Sequence, residues 1–384
     1  MKIDQPWLHA PSTRAVCEAL TAGEVEIYFV GGCVRNALLG EAVSDLDLST
    51  NVPPQRVVEL AEAAGLKAVP TGIEHGTITV VAEGIPHEIT TFRKDVETDG
   101  RRAVVAFADS IIEDARRRDF TMNALYARPD GTVVDPLGGL PDLEARRVRF
   151  IGTAEDRIRE DYLRILRYFR FHTWYGRAEE GFDPEALAAI AETQEGLDQL
   201  SRERVGAEMV KLLSAPDPAP SVAVMRQLGV LAHVLPGSDD RALAPLVHLE
   251  GDLPAEAETR LAALGREDLR AALRLSKAMA ARVTLLRDLA IGTMGPAELA
   301  YRYDAKTAHR AMLLRSALLE MPVSPELETE ISLGAAARLP ISAQDLIPQF
   351  SGAVLGRTLK KLEADWIAAR FELTREALLQ SLRT

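Results

Sequence analysis

Apolar residues crowd into short runs along the first 150 positions and then settle into a three-and-four spacing for the rest of the chain. The runs EIYFV, ITVVA, EITTF, AVVAF, TVVDPL and VRFIG are rich in β-branched and aromatic residues and bounded by turn formers, which predicts strands. Helical spacing between them falls near 34–39, 54–65 and 110–127. After Gly152 the strand signal ends, and 154–175, 184–195, 201–214 and 219–232 predict successive amphipathic helices. SAPDPAP at 214–220, LPGSDDRALAP at 235–245 and the 251–254 stretch read as loops. Residues 255–384 are rich in Ala, Leu and Arg and almost wholly helical. The pattern predicts an α/β or α+β head over 1–150, helices over 151–250 and a helical remainder over 251–384.

Length reinforces this division, since 384 residues exceed what one ordinary core organises. No apolar run approaches the roughly 18 residues that span a membrane. The opening MKIDQPWLHAPST lacks the basic-then-apolar order of a secretion signal. Cys17 and Cys33 are the only cysteines, too few for a disulfide framework or a zinc cluster, and a cytoplasmic setting is expected. The net charge of −12 argues against a nucleic-acid partner, but its distribution weakens that objection. Residues 251–384 carry 18 Lys and Arg against 17 Asp and Glu, and 157–170 hold five arginines against Glu160 and Asp161. Arg302, Lys306, Arg310 and Arg315 share helical spacing. That face either tracks a phosphate backbone or is simply solvated.

Four segments carry candidate chemistry. In FVGGCVRNALLGEAVSDLDLST, a strand ends on Gly31-Gly32, a helix follows as far as Gly40, and Asp45 and Asp47 then share one face of an extended segment. Amide groups at such a turn favour phosphate, and paired carboxylates suit Mg²⁺ completed by substrate phosphates. In HEITTFRKD, Glu88 is either a third carboxylate beside that strand or an exposed edge residue. RRRDFTMNALY places Arg117, Arg118, Asp119 and Asn123 beside an apolar helical stripe of Phe120, Ala124 and Leu125. The polar group is a phosphate and ribose contact or a capped helix start. On a predicted helix over 159–171, Asp161 and Arg164 either face a base edge or form a surface ion pair, with Arg167 and Arg170 close by. Cys33 reads as a packed residue rather than a reactive thiol, and Trp7, Trp174 and Trp366 as core anchors.

Seven motifs occur in one order: GGCVRNALLG…DLDLST, HGTITV, HEITTFR, EDARRRDFTMNALY, VDPLGGLPDL, EDYLRILRYFRF and SRERVGAE. Together they resemble the class II tRNA nucleotidyltransferases, the CCA-adding enzymes, and the related bacterial poly(A) polymerases, over residues 24–213. The resemblance implies a polymerase-beta-like head followed by an all-α neck, body and tail. It implies template-independent addition of C and A to the 3′ end of tRNA from CTP and ATP, with pyrophosphate released. Mg²⁺ would be held by Asp45 and Asp47, with Glu88 as a further catalytic carboxylate. The nucleotide would meet Gly31, Gly32 and Arg35 at its triphosphate, Arg118 and Asp119 at phosphate and ribose, and Asp161 and Arg164 at the base edge. Arg167 and Arg170 would complete the site, supported by Glu203, Arg204 and Glu208. The tRNA acceptor arm is the implied partner, with no membrane and no obligate protein partner.

One departure stands out: Asn36 occupies the place where family members commonly carry Asp, keeping hydrogen bonding without the charge. The basic stretch of the poly(A)-adding relatives is missing, TGIEHGTITV standing in its region, and the segment from Lys94 to Ser110 matches complete CCA addition. Poly(A) or A-only addition is the alternative within the family. A non-catalytic tRNA-binding protein on the same scaffold is the alternative outside it.

Overall fold

The computed structural model describes residues 1–21, 25–99, 102–265, 268–347 and 349–382. The chain forms two compact units, Met1–Pro236 and Gly237–Thr384. The first contains a seven-stranded mixed sheet. Its strands are β1 (Ile27–Val30), β2 (Asp47–Thr50), β3 (Lys67–Gly72), β4 (Thr77–Ala82), β5 (Ile85–Thr91) and, past a separate two-stranded ribbon of β6 (Arg93–Asp99) and β7 (Arg102–Phe107), β8 (Tyr126–Ala127) and β9 (Val133–Val134). The sheet order is β3-β4-β5-β2-β1-β8-β9, and every pair is antiparallel except β2 with β5. β1 is buried along its whole length, which explains why IYFV is a continuous apolar run rather than an alternating one.

Two sequence expectations fail next to the sheet. The helix expected across 110–127 stops at Arg116, after a start capped by the Ser110 hydroxyl. Asp119 ends the regularity: its carboxylate accepts from the Phe120 amide at 2.9 Å and from the Asn123 side chain at 2.9 Å. Such local side-chain bonds compete with helix propagation. Phe120, Ala124 and Leu125 are fully buried all the same, because the turn drives them inward without helical spacing. VRFIG forms no strand and meets the preceding turn through one bridge, Phe120 to Phe150.

The helix expected to run unbroken through 159–171 is two helices, Ala154–Glu160 and Leu163–Tyr175. Asp161 is extended (φ −156°, ψ 104°), and its carboxylate receives the Leu163 amide at 3.1 Å, opening the second helix. The Tyr162 ring sits where a side chain on Gly196 would be; a Cβ there would lie 2.1 Å from it. Phe150, Phe120, Tyr168 and Phe171 stack the second helix against the 119–123 turn, with ring centroids 5.0–6.2 Å apart. That aromatic seam fixes the helix relative to the sheet within the first unit.

Every secondary-structure element among the described residues of the second unit is a helix. The Ala305–Leu319 helix does not present the basic face that its spacing suggested. Arg310 is buried against Glu250 at 3.2 Å, and Arg315 donates to the carbonyls of Leu289, Ala290 and Met294. Arg302 and Lys306 are paired with Glu298, Glu363 and Glu256. Acids both near (Glu298) and distant in sequence (Glu250, Glu256, Glu363), with backbone carbonyls at Arg315, engage this charge. No described helix is long and apolar enough to cross a membrane.

Candidate active site

The strand β1 delivers the chain to Gly31, whose φ of +70° turns it into the Gly32–Leu39 helix. A side chain on Gly31 would come within 3.4 Å of the Arg118 guanidinium, so both the positive φ and the close approach favour glycine. The turn opens into a cleft of about 470 Å³ lined by Asp47, Arg117, Arg118, Asp161, Arg164 and Arg167, with Arg35, Asp119 and Asn123 also in its walls. Parallel pairing of β2 and β5 sets Asp47 opposite Glu88. Asp45 lies just before β2, where it accepts from the Ser44 hydroxyl at 2.8 Å. The Asp47 carboxyl is pushed above the usual range, first by displaced water and then by the Glu88 and Asp45 charges, with Arg118 pulling the other way. Repulsion among oxygen donors is what a divalent cation relieves, so this donor set fits one. Among the described residues no three ligating side chains close on a common point.

Two networks hold the arginines. The Tyr126 hydroxyl donates to Asp114 at 2.7 Å, and Arg118 donates to both, at 3.0 Å to Asp114 and 3.1 Å to Tyr126. Burial alone would raise the Asp114 carboxyl, but Arg118 and the Tyr126 hydroxyl outweigh it and hold it below its ordinary value. Asp119 behaves likewise: burial works against its charge, and Arg167 at 2.5 Å with the Asn123 amide wins. Asn123 in turn accepts from Arg35 at 2.5 Å. Arg35 is 6% exposed, stacked 4.0 Å from the Tyr175 ring centroid, and its guanidinium is pushed down from its usual basicity by burial.

Asp161 and Arg164 both line the cleft without pairing through their side chains. Arg204, reaching from the Arg202–Leu213 helix, donates to Asp161 at 2.6 Å. Arg164 is held by Glu160 and by the Arg157 carbonyl at 2.7 Å. Arg170 does not line the cleft; Glu208 pairs with it at 2.6 Å and it stacks over Phe171 at 4.5 Å. Of the residues singled out from sequence, Gly31, Gly32, Arg35, Asp47, Arg118, Asp119, Asp161, Arg164 and Arg167 share one wall system. Asp45 and Glu88 flank Asp47 beyond that lining.

Sequence profiles place these elements in known company. The "Poly A polymerase head domain" profile matches residues 27–149, and "Probable RNA and SrmB- binding site of polymerase A" matches 181–241. The mitochondrial CCA tRNA nucleotidyltransferase 1 of Danio rerio is 34% identical over 395 residues, covering 96% of this chain and 89% of that protein. The CCA-adding enzyme of Geobacillus kaustophilus is 34% identical over 330 residues, covering 85% and 75%. The chain belongs to the CCA-adding tRNA nucleotidyltransferase family. A crystal structure of the Bacillus stearothermophilus CCA-adding enzyme in complex with CTP has the same fold, with a TM-score of 0.80 at 26% identity over 99% of this chain and 98% of that one. Membership makes this chain a nucleotidyltransferase with a polymerase-beta-like head, and implies a divalent metal.

Several residues of this nucleotidyltransferase site escaped the sequence reading. Phe171 lines the cleft, beside Arg117 and Asn123 of the polar cluster that the sequence did pick out. Asp114 and Tyr126 anchor Arg118, and Tyr175 covers Arg35 from 140 positions away. Asp114 carries a local signal, four residues before Arg118. Tyr175 carries none, since only the aromatic seam brings its helix to the glycine turn. The Cys33 thiol is buried, pushed up to about 11 mainly by loss of water, and packs as expected rather than reacting.

Proposed function

We propose that this chain adds C and A nucleotides to the 3′ end of tRNA, using CTP and ATP without a nucleic-acid template. The observation that carries the reading is one cleft whose wall presents a carboxylate, the glycine turn, fixed arginines, and Asp161 with Arg164. Residues 1–150 are the catalytic head, 151–250 the neck that reads the base, and 251–384 the tail that holds the acceptor arm. Asp45 and Asp47 hold Mg²⁺, with Glu88 as the neighbouring carboxylate. Bound there, the ion supplies Lewis-acid activation of the terminal RNA hydroxyl and charge neutralisation at the phosphates.

The chain's own groups do the rest. The Gly31-Gly32 turn, Arg35 and Arg118 receive the triphosphate, and Asp119 orients Arg167 toward the sugar and base. Arg164 donates and Asp161 accepts, a pattern that cytosine and adenine satisfy and guanine and uracil leave unpaired. Mismatched buried groups of this kind cost about 1–3 kcal/mol each. Arg204 fixes the Asp161 carboxylate, and the Arg170–Glu208 pair braces the helix. The chain is acidic overall, so binding of tRNA rests on local basic surface rather than on net charge. A cytoplasmic setting is part of this reading and rests on the two unpaired, buried cysteines.

Incubation with tRNA lacking CCA, tRNA ending in CC and unstructured RNA, each with single labelled nucleotides and Mg²⁺, tests the proposal. C on the first, one A on the second and nothing from GTP or UTP is the expected result. Long A tracts on unstructured RNA would replace it with poly(A) synthesis.

A further inference from the structure

The hydrogen-bond inventory around Arg35 has an unusual composition. Its Nε and Nη2 groups donate to the Asn36 side-chain oxygen at 3.1 and 2.9 Å, Nη2 also to the Tyr175 hydroxyl at 2.8 Å, and Nη1 to Asn123. Every one of these acceptors is neutral. The acidic charge that Arg35 does feel, Asp119, is engaged by Arg167. A guanidinium buried among neutral acceptors keeps its full charge for an anion in the cleft that it lines. The amide end of Asn36 donates to the Ala42 carbonyl at 2.7 Å. Arginine only donates and a carbonyl only accepts, so one orientation of the amide satisfies both ends. An aspartate satisfies the first end alone, and would set its charge against the Ala42 oxygen.

We propose that Asn36 is a positioning residue for nucleotide binding: its oxygen aims Arg35 at the triphosphate without neutralising it, while its amide pins the 41–46 segment that carries Asp45. The inference rests on the nucleotide site proposed above and deepens it. Asn36 ends a chain of contacts that starts at Arg167 and passes through Asp119, Asn123 and Arg35, so the base-facing helix and the carboxylate segment are tied to one buried cation. The charge at position 36 therefore acts on the phosphates, which CTP and ATP share, and not on the base.

The test compares full-length wild type with Asn36→Asp and Asn36→Ala. Equilibrium binding of CTP and of ATP is measured across Mg²⁺ concentrations, alongside thermal melts and steady-state incorporation on tRNA lacking CCA. Asn36→Asp is expected to weaken both nucleotides by the same factor, about tenfold, which corresponds to roughly 1.4 kcal/mol, and to raise KM rather than lower kcat. Asn36→Ala is expected to weaken them less and to raise the Mg²⁺ concentration for half-saturation, since only the tether and the aim are lost. Unchanged nucleotide and Mg²⁺ binding in Asn36→Asp would overturn the inference. So would a loss confined to kcat and melting temperature, or one that differs between CTP and ATP. If wild type binds both nucleotides but extends no tRNA, the proposed function fails, and the binding comparison still decides the role of Asn36.

Discussion

At the scale of single residues, the site is a set of charges each given a partner of chosen strength. Asp47 faces Glu88 across two parallel strands, and the resulting repulsion is the electrostatic counterpart of a cation site. Replacing Asp47 with Ala is expected to abolish incorporation, by a factor of about 10³ or more given what metal activation supplies, while filter binding of tRNA persists. A near wild-type extension rate would remove the metal assignment. Asp161 depends on Arg204, 43 positions later in the chain. Arg204→Met leaves that carboxylate held by the Leu163 amide alone, so kcat/KM for CTP and ATP is expected to drop about tenfold, with selectivity against GTP and UTP narrowing. Single-nucleotide kinetics with all four NTPs measures both.

At the scale of elements, two features decide where the arginines stand. One is the break at Asp161 and Tyr162, which sends the Leu163–Tyr175 helix along the cleft. Its support includes the flat face of Gly196 against the Tyr162 ring. Gly196→Ala forces a methyl into that ring and is expected to destabilise the first unit by about 1–3 kcal/mol. A lower urea midpoint together with weaker base discrimination is the outcome to look for; an unaltered midpoint would show that the ring relaxes freely. The second feature is the pair of buried carboxylates, Asp114 and Asp119, both held below the ordinary aspartate range in the folded chain. Unfolding returns them to about 3.9. A depressed folded value gives stability that is complete above the unfolded value and is lost as pH falls through the folded one. Chemical denaturation midpoints should therefore drop steeply below about pH 4. In Asp114→Asn the drop should be shallower, from a lower starting stability.

At the scale of the whole chain, charge that looks available in the sequence is partly consumed inside. Arg310 and Arg260 close on Glu250, with all three side chains 3% exposed or less. Glu250→Ala would take from two buried guanidinium groups the carboxylate they share, leaving Arg310 to Glu256 and the Pro254 carbonyl, and is expected to cost the second unit about 3–5 kcal/mol, read as a lowered thermal transition. Nucleic-acid contact then falls to arginines and lysines outside such clusters. Affinity for tRNA should decline with salt at a slope set by those few contacts. Titrations at several ionic strengths measure that slope.

Much of this was legible in one dimension. Strand and helix periods marked the sheet-bearing head and the helical remainder. The order of short motifs pointed to nucleotidyl transfer, and nine of the twelve residues picked from them line one cleft. What local pattern could not supply was any contact chosen by distance in space. The Asp119 turn overrides a helical spacing, because a side-chain acceptor beside the backbone competes with the next helical bond. The stripe Arg302–Arg315 has the period of a basic face, yet acids from remote segments claim part of it and the carbonyls of Leu289, Ala290 and Met294 claim Arg315. Tyr175 and Arg204 reach the site only because aromatic packing and ion pairs bring their helices there. Residue chemistry and periodicity, which depend on near neighbours, are written along the chain. Which buried charge meets which partner depends on packing across dozens to more than a hundred positions, and only the folded molecule decides it.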